Sequence, residues 1–63
     1  MNGAKVRELR EQRGLTQLEV AYGTGITPQT LYSIERGATD NPTIETVKAI
    51  ARFYGVPIEE LLS

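Results

Sequence analysis

Between Thr27 and Arg36 the chain gathers side chains that could read a surface rich in hydrogen-bonding groups. Pro28, Gln29, Tyr32, Ser33 and Arg36 are spaced so that a helix would set them on one side, because positions three and four apart are neighbours on a helix. That side offers many donors and acceptors but a single charge. A Gln carboxamide can bond adenine at N6 and N7 together, and a Ser hydroxyl can serve either kind of base edge. Small apolar groups such as Pro28 or the Thr27 methyl can pack on a thymine methyl, and Arg can take a guanine or a phosphate. An ordinary solvated helix face is the other reading, and residue types alone leave both open. A solvated face in this chain would be expected to carry Lys and Glu, as the Lys5, Glu8 and Glu11 side does.

Other chemistries find little support. There is no cysteine and no histidine, hence no disulfide, no thiolate metal site and no imidazole base. No carboxylate pair shares a cleft and no Gly-rich loop cradles a phosphate, so the expectation is a protein that is not an enzyme and needs no cofactor or metal. The formal net charge is -1, whereas nucleic-acid-binding domains are usually basic. The charge is uneven: one net positive over residues 1–36 and two net negative over 37–63. Charge by itself does not suggest DNA.

The elements that must position these residues are short. A chain of 63 residues has room for one domain, and at this size it buries only about 60% of its unfolded surface. Gly and Pro cut it into five helical pieces, near residues 4–13, 17–23, 28–36, 43–54 and 58–62. Asn2 or Gly3 caps the first, which turns Val6 and Leu9 inward and stops at Gly14. Thr16 caps the second, with Glu19 completing a capping box, and the two glycines of Tyr22-Gly23-Thr24-Gly25 end it. Thr27 caps the third, with Pro28 in its first turn, where a missing N–H costs nothing. Thr43 caps the fourth, which turns Ile44, Val47, Ile50, Ala51 and Tyr54 inward and ends at Gly55. No segment alternates at period two long enough to read as a strand. The fold class is all-α, a compact five-helix bundle. No apolar run reaches the roughly 18 residues of a membrane span, and the N-terminus has no signal-peptide pattern, so a cytoplasmic protein is expected.

Two charges fall on inward stripes: Arg10 beside Val6 and Leu9, and Glu35 beside Leu31 and Ile34. Arg and Glu are almost never fully buried unless paired. Either the two meet as guanidinium fork on carboxylate, or Arg10 runs its stem out to solvent and Glu35 sits at the helix edge.

The run from Thr16 to Gly37 resembles the helix-turn-helix of the phage-repressor/Cro family, also called the XRE family. Gln17, Ala21, Gly25, Ile26 and Glu35-Arg36-Gly37 fill the pattern's positions, and Leu9-Arg10, Leu15-Thr16-Gln17, Pro42, Ala51 and Gly55-Val56 to Glu60-Leu61-Leu62 also fit. The resemblance implies a lambda-repressor-like bundle that binds double-stranded DNA as a two-fold dimer, with its third helix in the major groove and half-sites about one helical turn apart. It implies base-reading positions at Thr27, Pro28, Gln29 and Ser33 with Tyr32 beside them, and phosphate contacts from Gln17, Arg36 and the loop residues Thr39 and Asn41. It implies a buried Arg10–Glu35 ion pair. It also implies a homodimer contact near the C-terminus, where Phe53 and Ile58 are apolar residues a thin core need not use.

Three departures stand out. The loop Ala38-Thr39-Asp40-Asn41 brings an acid where the family usually brings Lys or Arg, which removes part of the counterion-release contribution to affinity. Gly23-Thr24 should loosen the end of the second helix. Pro57 replaces a common cap but suits a helix start.

The resulting expectation is a transcriptional regulator, a repressor reading a palindromic operator. Ending just past the fifth helix, the chain would be a minimal regulator or a piece of a longer one. The alternative is a protein-interaction module or antitoxin that presents the third helix or the Phe53/Ile58 surface to a protein partner; the acidic balance and the lack of a cation in that loop favour it.

Overall fold

Four helix starts in this chain are set by side-chain oxygens. Asn2 Oδ1 accepts from Lys5 N at 3.1 Å, Thr27 Oγ1 from Thr30 N at 3.2 Å, and Thr43 Oγ1 from Thr46 N at 3.3 Å. Thr16 and Glu19 answer each other, Glu19 N donating to Thr16 Oγ1 at 3.1 Å and Thr16 N to Glu19 Oε1 at 2.9 Å. Each such cap satisfies a backbone N–H that the helix itself leaves without a partner and contributes about 1 kcal/mol. The bonds from the Thr16 backbone and hydroxyl hold the Glu19 carboxyl below its ordinary value.

The computed structural model describes residues 1–38 and 42–62. Among them the helices are α1 (Gly3–Gln12), α2 (Gln17–Thr24), α3 (Pro28–Glu35), α4 (Ile44–Tyr54) and α5 (Ile58–Leu62), and no strand occurs among the described residues. Helices α1 and α2 both pack on α3, α4 packs on α2 and α5, and α1 also meets α5. Val6, Leu9, Val20, Leu31, Ile34, Val47, Ile50, Ala51, Tyr54 and Leu61 form the core. Asn2 N donates to Leu61 O at 2.6 Å, tying the start of α1 to α5. On the α1–α3 side the approach is close enough that a Cβ on buried Gly3 would overlap the Ile34 carbonyl. Arg13 closes two helices at once: it donates to Leu9 O at 3.3 Å and Tyr54 O at 3.0 Å, and its guanidinium lies 5.1 Å from the centre of the Tyr54 ring. A cation at helix C-termini is favoured by the carbonyls that gather there.

Three sequence expectations need correction. Helix α2 does not end at its first glycine but continues through Gly23 to Thr24. The Phe53 ring lies where a Cβ of residue 23 would stand, and the Thr24 hydroxyl ties the last turn by donating to Val20 O at 2.7 Å. The helix stops instead at Gly25, whose φ of 76° is left-handed, a conformation that glycine adopts without penalty. Second, Ile44 does not turn inward and is 55% exposed; it opens α4 at the margin of the Val47, Ile50, Ala51 and Tyr54 stripe. Third, α1 begins one residue earlier, at Gly3.

Gly3→Ala should destabilise the fold by about 1–3 kcal/mol, although Ala is the better helix former, because the obstructing atom is backbone and cannot turn aside; the urea midpoint measures it. The Glu19 cap should give an acid-sensitive contribution. With the folded-state pKa depressed below 4.5, the unfolded chain binds the proton first, so the contribution is complete above that pH and lost as pH falls through the folded value. Glu19→Gln keeps a capping side chain without the titration, so the gap between its midpoint and wild type should narrow on acidification below 4.5.

Candidate nucleic-acid interface

The helix that carries the polar residues is held from behind by one carboxylate. The side chain of Glu35 is 3% exposed, and Arg10, at 15%, meets it as a two-pronged fork. Arg10 Nε donates to Oε2 at 2.9 Å and its Nη2 to Oε1 at 3.1 Å. Nη1 of the same guanidinium donates to Leu15 O at 2.9 Å. Gln17 Nε2 supplies a third donor to Glu35 Oε1 at 3.1 Å. The hydrogen bonds to Glu35 raise the Arg10 pKa against the burial that would lower it. Of the two arrangements that the sequence left open, the structure has the pair.

With Leu31, Ile34 and Glu35 buried, the rest of α3 faces outward. Thr27, Pro28, Gln29, Tyr32 and Arg36 are exposed and Ser33 is partly so. Thr27 is also the cap of α3, and its hydroxyl donates to Thr30 Oγ1 at 2.8 Å, so that proton is committed within the turn. The Arg36 guanidinium lies over the Tyr32 ring, 5.3 Å from its centre. Within the candidate phosphate set, Gln17 opens α2 beside α3, Arg36 is at the end of α3, and Thr39 and Asn41 lie outside the described residues.

The two candidates for a dimer surface are only partly free. Ile58 is half-buried against the core, and Phe53, 37% exposed, covers Gly23. Larger apolar exposure lies elsewhere, at Leu18 (55%) and Tyr22 (83%). With Ala21, Gly25, Ile26, Thr27 and Pro28 they line a shallow groove of about 360 Å³ along α2 and the turn.

Two features escaped the sequence reading. Gln17 spends an N–H inward on Glu35, a bond foreshadowed by a buried carboxylate having more lone pairs than one Arg can fill. Arg7, one turn before Arg10, lines the same side of the bundle as Tyr32 and Arg36; its spacing from Arg10 was the available signal.

Arg10→Met alone should destabilise by about 3–5 kcal/mol, because it strands a buried carboxylate, and Arg10→Met with Glu35→Leu should recover much of that loss. Equal denaturation midpoints for wild type and the single variant would show that the fork contributes nothing.

Comparison with known proteins agrees with this layout. The Helix-turn-helix family model matches residues 6–61. The chain is 49% identical over all 63 residues to the cryptic phage CTXphi transcriptional repressor RstR of Vibrio cholerae, covering 56% of that protein. It is 40% identical over 58 residues to the HTH-type transcriptional regulator DdrOP3 of Deinococcus deserti, covering 92% of this chain and 44% of that one. The chain thus spans about half the length of these two relatives. Its fold superposes on SinR, described as the master regulator for biofilm formation and solved in complex with DNA, with a TM-score of 0.92 at 28% identity over 100% of both chains. The family match runs from Val6 to Leu61 and reaches into all five helices; the chain belongs to the helix-turn-helix family.

Proposed function

We propose that this chain is the DNA-binding part of a sequence-specific transcriptional regulator, of the repressor kind, that seats α3 in the major groove of an operator. The observation that carries the reading is α3 itself: one side is locked by Leu31, Ile34 and the Glu35 fork, while Gln29 and its neighbours stand exposed on the other. A helix with its side chains is about 10–12 Å across, and the major groove is about 12 Å wide. Kinship with RstR, named as a transcriptional repressor, and with SinR, captured on DNA, supports the same reading.

In this proposal Gln29 and Ser33 read base edges, Pro28 and the Thr27 methyl meet thymine methyls, and Tyr32 lies beside them. Gln17, Arg36, Thr39 and Asn41 hold phosphates. The operator is palindromic and the regulator binds it as a homodimer, with Phe53 and Ile58 at the contact. The protein works in the cytoplasm, and among the described residues no helix is long and apolar enough to cross a membrane. Arg36 is the single cation in that phosphate-holding set, so counterion release gives a smaller share of the affinity than in a lysine-rich domain, and hydrogen bonds to bases and phosphates a larger one.

Selection from a random duplex pool tests the reading directly and should enrich one palindromic motif. On the enriched duplex, Gln29→Ala should cost about 1–3 kcal/mol and relax preference at one base position. Arg36→Ala should weaken binding on every sequence and flatten the salt dependence. A pool that enriches nothing would hand the chain to the protein-interaction reading.

A further inference from the structure

We infer that Arg7, Tyr32 and Arg36 together grip one phosphodiester of the DNA backbone in the cleft between α1 and α3, an inference that rests on the DNA-binding reading above. The cleft has a volume of about 200 Å³ and is lined by Arg7, Arg10, Gln17, Tyr32, Glu35 and Arg36. Three guanidinium groups therefore face one carboxylate, and that carboxylate is occupied. Glu35 accepts from Arg10 through both oxygens and from Gln17 through Oε1. Arg10 spends three of its five N–H groups inward, on Glu35 and on Leu15 O, and its charge is balanced by the carboxylate.

The cationic groups in the cleft whose charge no buried carboxylate balances are those of Arg7 and Arg36. Arg7 gives Nε to Glu11 at 3.1 Å, in a pair whose side chains are 62% and 55% exposed; such pairs hold weakly, and both terminal nitrogens remain for a ligand. The Arg36 guanidinium makes no hydrogen bond among the described residues, yet it is not loose, because it lies over the Tyr32 ring. A guanidinium stacked on an aromatic face keeps its edge N–H groups available while losing little further freedom on binding. Stacked Arg36 and the two terminal nitrogens of Arg7 thus give two forks for the two unesterified oxygens of a phosphodiester.

Placement along α3 points to backbone, not bases. Successive residues turn by about 100°, which puts Tyr32 between the Gln29/Arg36 direction and Glu35, on the flank that faces α1. Ser33 falls on the opposite flank. Tyr32 is one turn from Gln29, so a phosphate gripped there lies beside the base pairs that Gln29 reaches. Tyr32 then acts as a platform for Arg36, in place of the base-side role expected for it.

The test measures anisotropy of two labelled duplexes, the motif enriched from the random pool and an unrelated duplex of equal length, across a salt series. Arg7→Gln should reduce the slope of log affinity against log salt by about 1 on both duplexes, with base preference unchanged. Tyr32→Ala should weaken both by the same factor, and adding it to Arg36→Ala should cost no more than Arg36→Ala alone. An unchanged slope for Arg7→Gln, or a change in base preference at one position for Tyr32→Ala, would overturn the grip while leaving DNA binding intact. Failure of the wild type to bind either duplex would overturn the DNA-binding reading and the grip with it.

Discussion

A single buried carboxylate is the point on which the helix-turn-helix closes. Glu35 comes from α3, Arg10 from α1 and Gln17 from the first turn of α2, and the same Arg10 holds the Leu15 carbonyl between the first two helices. Three helices and one connection are thereby fixed around two oxygens. Burying a charge pair contributes little to net stability compared with an apolar contact. What it adds here is direction, because a forked hydrogen bond tolerates little rotation of one helix against another, whereas Leu31 and Ile34 would accept a range of angles. The outward face of α3 is aimed by this fork.

That arrangement bears on how the outward face can work. Two of its neighbouring charges, Arg10 and Glu35, are satisfied internally, so the short-range chemistry is left to amides, hydroxyls, Arg7 and the stacked Arg36. Such a surface loses less to salt than a lysine-rich one, and it depends more on the fit of each contact. A rigid helix is then a requirement of recognition as well as of folding.

Much of the fold is legible in the sequence because its signals are local. Asn2, Thr16, Thr27 and Thr43 mark four helix starts, and Gly14 and Gly55 mark two stops, each by chemistry confined to a few residues. The exposed set Pro28, Gln29, Tyr32 and Arg36 follows from helical spacing once Leu31 and Ile34 are taken as inward. The inward turn of Gln17 was hidden, since it depends on a partner eighteen positions away. So was the continuation of α2 through Gly23, beside which a ring from a different helix packs. Ile44 misled because a stripe drawn by period alone has no sense of where the neighbouring helix stops. Tertiary contacts, not propensity, decided all three.

The contact between Gly23 and Phe53 ties two distant positions of the chain into one volume. The missing side chain of α2 and the ring from α4 meet in one space, so a larger residue at position 23 requires the partly exposed Phe53 ring to swing outward. A change on α2 is therefore felt as a reorientation on α4, at a residue thirty positions along the chain.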